Sequence, residues 1–240
     1  MKNKQQKNYR LFILFLYFTF LSFLTFRTFQ LVNINQIKIK GSELISKNDL
    51  INNSSLTFPI RLISVKTNLI EKELTNNLSL KYVSVQRQLI PFGLKILIKT
   101  RKPVAQGERT INGKKIEGYV DRYGFFIKAQ HTDKKNLRKF PTRVYGWEEN
   151  YKKTISEVFS FQKTSNIEIV SINFSPNGFL TLEEKELNKI LLGFDPNLIK
   201  DQLRIIDNIK NQLKGNIIFK KIENIDITNP SNPKIKVFKP

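Results

Sequence analysis

Residues 11 to 26 read LFILFLYFTFLSFLTF, sixteen residues without a charge, and they follow MKNKQQKNYR, which carries Lys2, Lys4, Lys7 and Arg10 and no acid. No other feature limits so strongly what the chain can become, because a run this apolar has to leave water. At about 1.5 Å per residue the uncharged stretch spans roughly 24 Å as a helix, short of a hydrocarbon core of ~30 Å. Continuing the helix through RTFQLV to Val32 closes the gap, since Arg27 lies near the far end and can snorkel to the headgroups. The expected anchor is therefore residues 11–32, with Leu11, Phe12, Leu16, Phe20, Leu24 and Phe26 among its anchoring residues. A cleaved signal peptide shares the basic start and apolar centre, but this run is bulky and aromatic and no small-x-small site follows it. With the anchor retained, residues 1–10 form a cytoplasmic tail by the positive-inside rule, and the chain after about residue 33 lies across the cytoplasmic membrane.

The whole chain has 240 residues, enough for one large or two small domains beyond the anchor. Hydrophobic residues make up 40 % and charged residues 25 %, ordinary values for a globular protein. A formal net charge of +21 would draw the protein to nucleic acid, anionic lipid or an acidic wall polymer. The lysines are spread along the chain, however, with no dense basic block and no RNA-binding aromatic signature, so they read as solvated faces and a nucleic-acid partner is not expected. The absence of cysteine excludes disulfides, thiolate chemistry and Cys-based zinc sites, and leaves the compartment open.

Past the anchor the apolar period changes repeatedly. QIKIKG alternates Ile37 and Ile39 and stops at Gly41, a strand and a turn; SKNDLI has Ser46 as a cap with Asp49 in the first turn. NLIEKELTNNL sets Leu69, Ile70, Leu74 and Leu78 on one helical face, with Asn68 and Glu71 in capping-box spacing. KYVSVQRQLIPFGLKILIK then alternates with period two, Val83, Val85 and Leu89 before a Pro91–Gly93 turn and Leu94, Ile96 and Ile98 after it. Strand, helix, helix, strand, strand is a compact α+β unit with both helices on one face of a small sheet.

This order beside a membrane anchor resembles a POTRA domain. The string IKIKG…LIEKEL…YVSVQRQLIPFGLKILIKTRKPVAQ is similar to the extracytoplasmic region of the FtsQ (DivIB) family of bacterial cell-division proteins. Thr100, Arg101, Lys102, Pro103, Val104 and Ala105 match the family's charged end of the POTRA domain and its Pro-Val-Ala, whereas Gln88, Leu89, Ile90 and Pro91 after Arg87 lack the aromatic of Arg-x-Trp-Pro. The resemblance implies a POTRA domain over 33–101 and a larger, β-rich α+β domain over 102–240. YVDRYGFFI fits the family's hairpin, with Asp121 and Gly124 as the corners of a β-turn and no second carboxylate or base spaced to make Asp121 catalytic. FPTRVYG and the amphipathic YKKTISEVFSFQ, through Tyr151, Ile155, Val158 and Phe159, follow in order; IEIVSINF and GFLTL alternate as strands. KILLGFDPNLIKDQLRIIDNIKNQLKG reads as a strand running into a helix, with Asp195 as N-cap, Pro196 first in the helix, a stripe of Ile199, Leu203, Ile206 and Leu213, and Gly215 past its end. IENIDITN resembles the family's Ile-Asp-apolar-Arg strand, with Thr228 in the place of Arg.

Little in the chain supports catalysis. His131, the single histidine, sits in the polar KAQHTDKKN; no serine lies in a Gly-x-Ser-x-Gly elbow; and no phosphate-binding glycine loop is present, so no catalytic, metal or cofactor residue is expected. Trp147 reads as a core or strand-end aromatic. A sheet edge offers unpaired N–H and C=O groups to which a partner segment can add as a strand. The resemblance implies recruitment of FtsB- and FtsL-like membrane proteins near the last strands, with septal wall synthases as further partners. That nominates Ile222, Asn224, Ile225, Asp226, Ile227, Thr228, Lys234, Ile235, Lys236 and Val237. The implied protein is a non-enzymatic, single-pass scaffold at the division septum. A POTRA-bearing export chaperone and an anchored basic protein that binds wall polymer or nucleic acid are the alternatives.

Overall fold

The computed structural model describes residues 2–132, 140–213 and 222–238. The chain divides into two compact units, 1–100 and 101–240.

The first unit opens on α1 (Lys2–Phe29), which is helical through the basic head as well as the apolar run. Leu11, Phe12, Leu16, Phe20 and Phe26 are each more than half exposed, and Leu24 is half-buried. The helix stops three residues short of the expected end at Val32. Leu31 and Val32 instead form β1 (Leu31–Val32), paired antiparallel with β3 (Ile60–Arg61), and Val32 is fully buried. The apolar pair expected to lengthen the span is the start of the domain core, because a strand partner about thirty residues away satisfies its backbone.

The domain itself runs β2 (Ile37–Lys40), α2 (Lys47–Asn52), α3 (Thr67–Asn77), β4 (Tyr82–Gln88) and β5 (Gly93–Lys99). β5 lies between β2, parallel to it, and β4, antiparallel to it. Leu94, Ile96 and Ile98 share one face of β5 and bury against Val83 and Val85 of β4, Leu50 of α2, and Ile70 and Leu74 of α3. Ser46 caps α2: its hydroxyl accepts from the Asp49 N–H, and the Asp49 carboxylate accepts from the Ser46 N–H. The expected Asn68–Glu71 box does not form. α3 starts at Thr67 without a side-chain cap, Leu69 is exposed, and Glu71 Oε1 accepts the Val85 N–H at 2.7 Å. An edge-strand donor on β4 outcompetes the helix terminus for that carboxylate.

Among the described residues the second unit holds a nine-stranded mixed sheet, in the order β14-β13-β12-β11-β10-β9-β6-β7-β8. Its strands are β6 (Pro103–Ile111), β7 (Lys114–Asp121), β8 (Phe126–Lys128), β9 (Arg143–Tyr145), β10 (Ile169–Phe174), β11 (Leu180–Glu184), β12 (Asn188–Gly193), β13 (Ile222–Asp226) and β14 (Lys234–Val237). Helices α4 (Lys152–Thr164) and α5 (Ile199–Leu213) pack on each other and bury Ile155, Val158, Leu203 and Ile206 against Ile172, Leu182, Ile190 and Ile225. α5 begins four residues after the expected cap. Asp195 Oδ1 accepts the Asn197 N–H at 2.9 Å, an Asx turn that keeps Pro196 and Asn197 outside the helix. Gln202 and Ile209 join the buried stripe and Leu213 is only partly covered; Gly215 lies outside the described residues.

Candidate functional site

Asp121 closes β7, and both oxygens of its carboxylate are engaged. Oδ1 accepts the N–H groups of Tyr123 and Phe125, each at 2.9 Å, and Oδ2 meets Arg101 Nη1 at 2.9 Å. The Gly124 N–H donates to the Asp121 carbonyl at 2.9 Å, which makes the β-turn. Gly124 has φ 78°, and a Cβ there would come within 2.3 Å of the Lys152 carbonyl oxygen. Arg101 also lies over the Phe125 ring at 3.6 Å while Lys152 Nζ approaches it at 4.0 Å, so one aromatic ring serves two cations. The carboxylate thus holds the turn together through two backbone N–H groups and one guanidinium. The Arg101 partnership could not be read from turn chemistry, since Arg101 stands twenty residues before Asp121.

Trp147 is buried beside the same corner. Its Nε1 donates to the Gly124 carbonyl at 2.7 Å, and its ring packs 5.3 Å from Phe126, over which Arg109 lies. Burial lowers the pKa of Arg109, while nearby Glu149 opposes that shift.

A second buried charge had no local signature. Glu184 is 1 % exposed and its carboxylate meets Lys210 Nζ at 2.7 Å while accepting N–H groups from Glu168, Glu186 and Leu187. Burial would raise the Glu184 pKa, but the Lys210 ammonium and the three N–H donors outweigh it, and the net shift is downward. Glu168 and Lys210 lie sixteen and twenty-six positions from Glu184, out of range of any periodicity, and only the Glu186 and Leu187 donors are local.

Among the described residues the sheet ends at β8 and at β14, and β14 is the end whose side chains are all exposed. β13 is paired on both sides, parallel to β12 and antiparallel to β14. Ile222, Ile225 and Ile227 are 0 % exposed and belong to the core, so they offer no side chain to a partner. Asn224 and Asp226 are half-buried on the opposite face, opposite Lys236 and Lys234. Thr228 donates both its N–H, at 3.0 Å, and its hydroxyl, at 2.7 Å, to Asp226 Oδ1, and these bonds lower the Asp226 pKa. Lys234, Ile235, Lys236 and Val237 are all exposed, and no strand pairs the outer side of β14 among the described residues. One face of that strand carries Ile235 and Val237, followed by exposed Phe238; the other carries the lysines, Lys236 being held by Glu223 at 2.8 Å.

Two concavities lie elsewhere on this unit. One, of about 230 Å³, is lined by Tyr151, Phe174, Phe194 and the start of α5; the other, of about 370 Å³, is an open cleft over β6, β7 and β9 with Glu108, Tyr119, Arg143 and Tyr145. Among the described residues no three His, Cys, Asp or Glu side chains converge as metal ligands, and the His131 side chain lies outside the described part.

Residues 32–101, which hold the strand-helix-helix-strand-strand order and its parallel β2–β5 pair, match the family model of the POTRA domain, FtsQ-type. They are an FtsQ-type POTRA domain. No curated protein matches the chain. The FtsQ-type POTRA domain begins at Val32, immediately after α1, and α1 is long and apolar enough over Tyr9–Phe29 to cross a membrane. Its departure from the family at Gln88–Pro91 falls on the β4–β5 turn, where Ile90 is 68 % exposed.

Proposed function

We propose that this protein is a single-pass membrane scaffold of the bacterial division machinery. In this reading α1 is the anchor, with its basic end in the cytoplasm, and both units lie outside at the septum. The observation that carries it is the FtsQ-type POTRA domain starting directly after an apolar helix of membrane length. The role is binding: anchoring confines the chain to two dimensions, and two units on one chain raise the effective concentration of their partners for one another.

Recruitment is assigned to β14, where FtsB- and FtsL-like membrane proteins would add a segment as a further strand, septal wall synthases being further partners of the assembly. The free outer edge of β14, with Ile235 and Val237 on one face and two lysines on the other, supports a partner strand of alternating apolar and acidic residues. Two experiments test the reading: depletion of the native protein, and a fluorescent fusion expressed beside the undepleted one. Mid-cell fluorescence and undivided filaments or enlarged cells are expected; uniform fluorescence with normal division overturns it.

A further inference from the structure

The outer end of α1 is gripped by the POTRA domain. Arg27 lies two residues before the helix ends, and its guanidinium sits 5.3 Å from the ring centres of both Phe23 on α1 and Phe92 in the β4–β5 turn. A 3-10 turn at Leu62–Ser64 packs on the same helix end, and the Leu62 N–H donates to the Gln30 carbonyl at 3.2 Å. Leu31, the first residue after that contact, pairs with Arg61.

These contacts set a depth. The 21 residues Tyr9–Phe29 span roughly 31 Å as a helix, matching a ~30 Å hydrocarbon core, so the outer hydrocarbon boundary falls at the last turn of α1. Phe92, touching Arg27, is then at that boundary. Next along the chain to these contacts stand bare apolar residues: Ile90, two before Phe92, is 68 % exposed, Leu31, after Gln30, 54 %, and Ile63, after Leu62, 49 %. Exposed isoleucine at the tip of a tight turn is poorly placed for water and well placed for the headgroup region, and Arg61 beside Leu31 is suited to lipid phosphate.

We propose that the β4–β5 turn and the Leu62–Ser64 turn form an apolar collar that inserts Ile90, Ile63 and Leu31 into the outer interface of the phospholipid bilayer, seating the POTRA domain on the membrane surface. The surface is continuous with the membrane contact of α1, and the proposal rests on the reading of α1 as an anchor. It also gives a role to Ile90, which lies in the stretch where this sequence leaves the family's pattern.

The chain has no cysteine, so single-cysteine variants of the full-length protein report one position each. Ile90→Cys, Ile63→Cys, Phe20→Cys and Tyr82→Cys would carry an environment-sensitive fluorophore in vesicles of phosphatidylcholine and phosphatidylglycerol. Tyr82 is exposed at the opposite end of β4, about 20 Å from the turn along the strand. Labels at Ile90 and Ile63 are expected to be quenched by nitroxide near the lipid headgroup and shielded from aqueous iodide, while Tyr82 remains open to iodide. Water-like emission at either collar position, with Phe20 lipid-quenched, overturns the collar and leaves the anchor standing. Shielding from iodide without nitroxide quenching means a protein contact, and it also overturns the collar. An iodide-accessible label at Phe20 overturns the anchor, and the collar with it.

Discussion

Arg101 Nη1 and Asp121 Oδ2 meet at 2.9 Å, with side chains only 9 % and 5 % exposed, and they tie the first residue of the second unit to the corner of the β7–β8 hairpin. Removing one member of such a pair leaves the other charged in a poorly solvated site. Asp121→Ala also strips the acceptors of the Tyr123 and Phe125 N–H groups, so it is expected to destabilise the second unit by about 3–5 kcal/mol. Asp121→Asn keeps an acceptor at Oδ1 and should cost less. Urea unfolding followed by fluorescence of Trp147, the single tryptophan and 6 % exposed, measures both.

Gly124→Ala probes the same corner through the backbone. A positive φ costs a non-glycine residue roughly 1–2 kcal/mol, and the added Cβ would stand 2.3 Å from the Lys152 carbonyl oxygen, so the loss should exceed the strain alone. An unchanged unfolding midpoint would show that the turn and the start of α4 can separate at little cost.

The Glu184–Lys210 pair should give the second unit an acid limb. The folded Glu184 pKa lies below its ordinary value of 4.5, so its contribution is complete at neutral pH and fades as the pH falls through the folded value. Lys210, lowered by burial but raised more by Glu184 and Glu186, acts in the opposite sense and loses its contribution only in strong alkali. Lys210→Met should cost about 3 kcal/mol at pH 7 by leaving the carboxylate buried without its counter-charge. The difference from the native protein should shrink in acid. A difference independent of pH would assign the effect to packing.

Partner recruitment at β14 should fail when its outer edge is blocked and the fold is left intact. Neighbouring residues alternate between facing β13 and facing outward, so Ile235→Pro and Lys236→Pro together ensure that one of them removes an outward N–H. At least one is expected to abolish co-purification of the division membrane proteins, and Lys234→Glu with Lys236→Glu to weaken it, with the Trp147 unfolding midpoint unchanged. Full capture by all three variants rules out this edge. Ile225→Pro is unsuited to the question, because Ile225 is core and its strand is paired on both sides, so proline there should unfold the unit.

How far the sequence could be read depended on the range of each interaction. The Ser46–Asp49 box was visible because its members lie three residues apart, and the β4–β5 hairpin because its alternation and turn are contiguous. Asp195 was legible as a polar punctuation mark but not as an Asx turn, since either geometry uses the same oxygen on a nearby N–H. Glu71 looked like a capping residue and instead serves Val85, fourteen residues away. In the edge-strand region, alternation marked both IENIDIT and KIKV as strands, and nothing local distinguished the covered one from the bare one.

The amino-acid sequence alone determined the membrane-length helix, the order of helices and strands, and the kinship of the first domain, because hydrophobic period, capping and turn chemistry act within a few residues along the chain. Tertiary structure alone decided where α1 hands over to the domain at Leu31, which cation neutralises Asp121 and Glu184, and that β14 rather than β13 carries the open edge. Those outcomes depend on which distant segments pair most favourably, a choice among competing packings that no short window of side chains encodes.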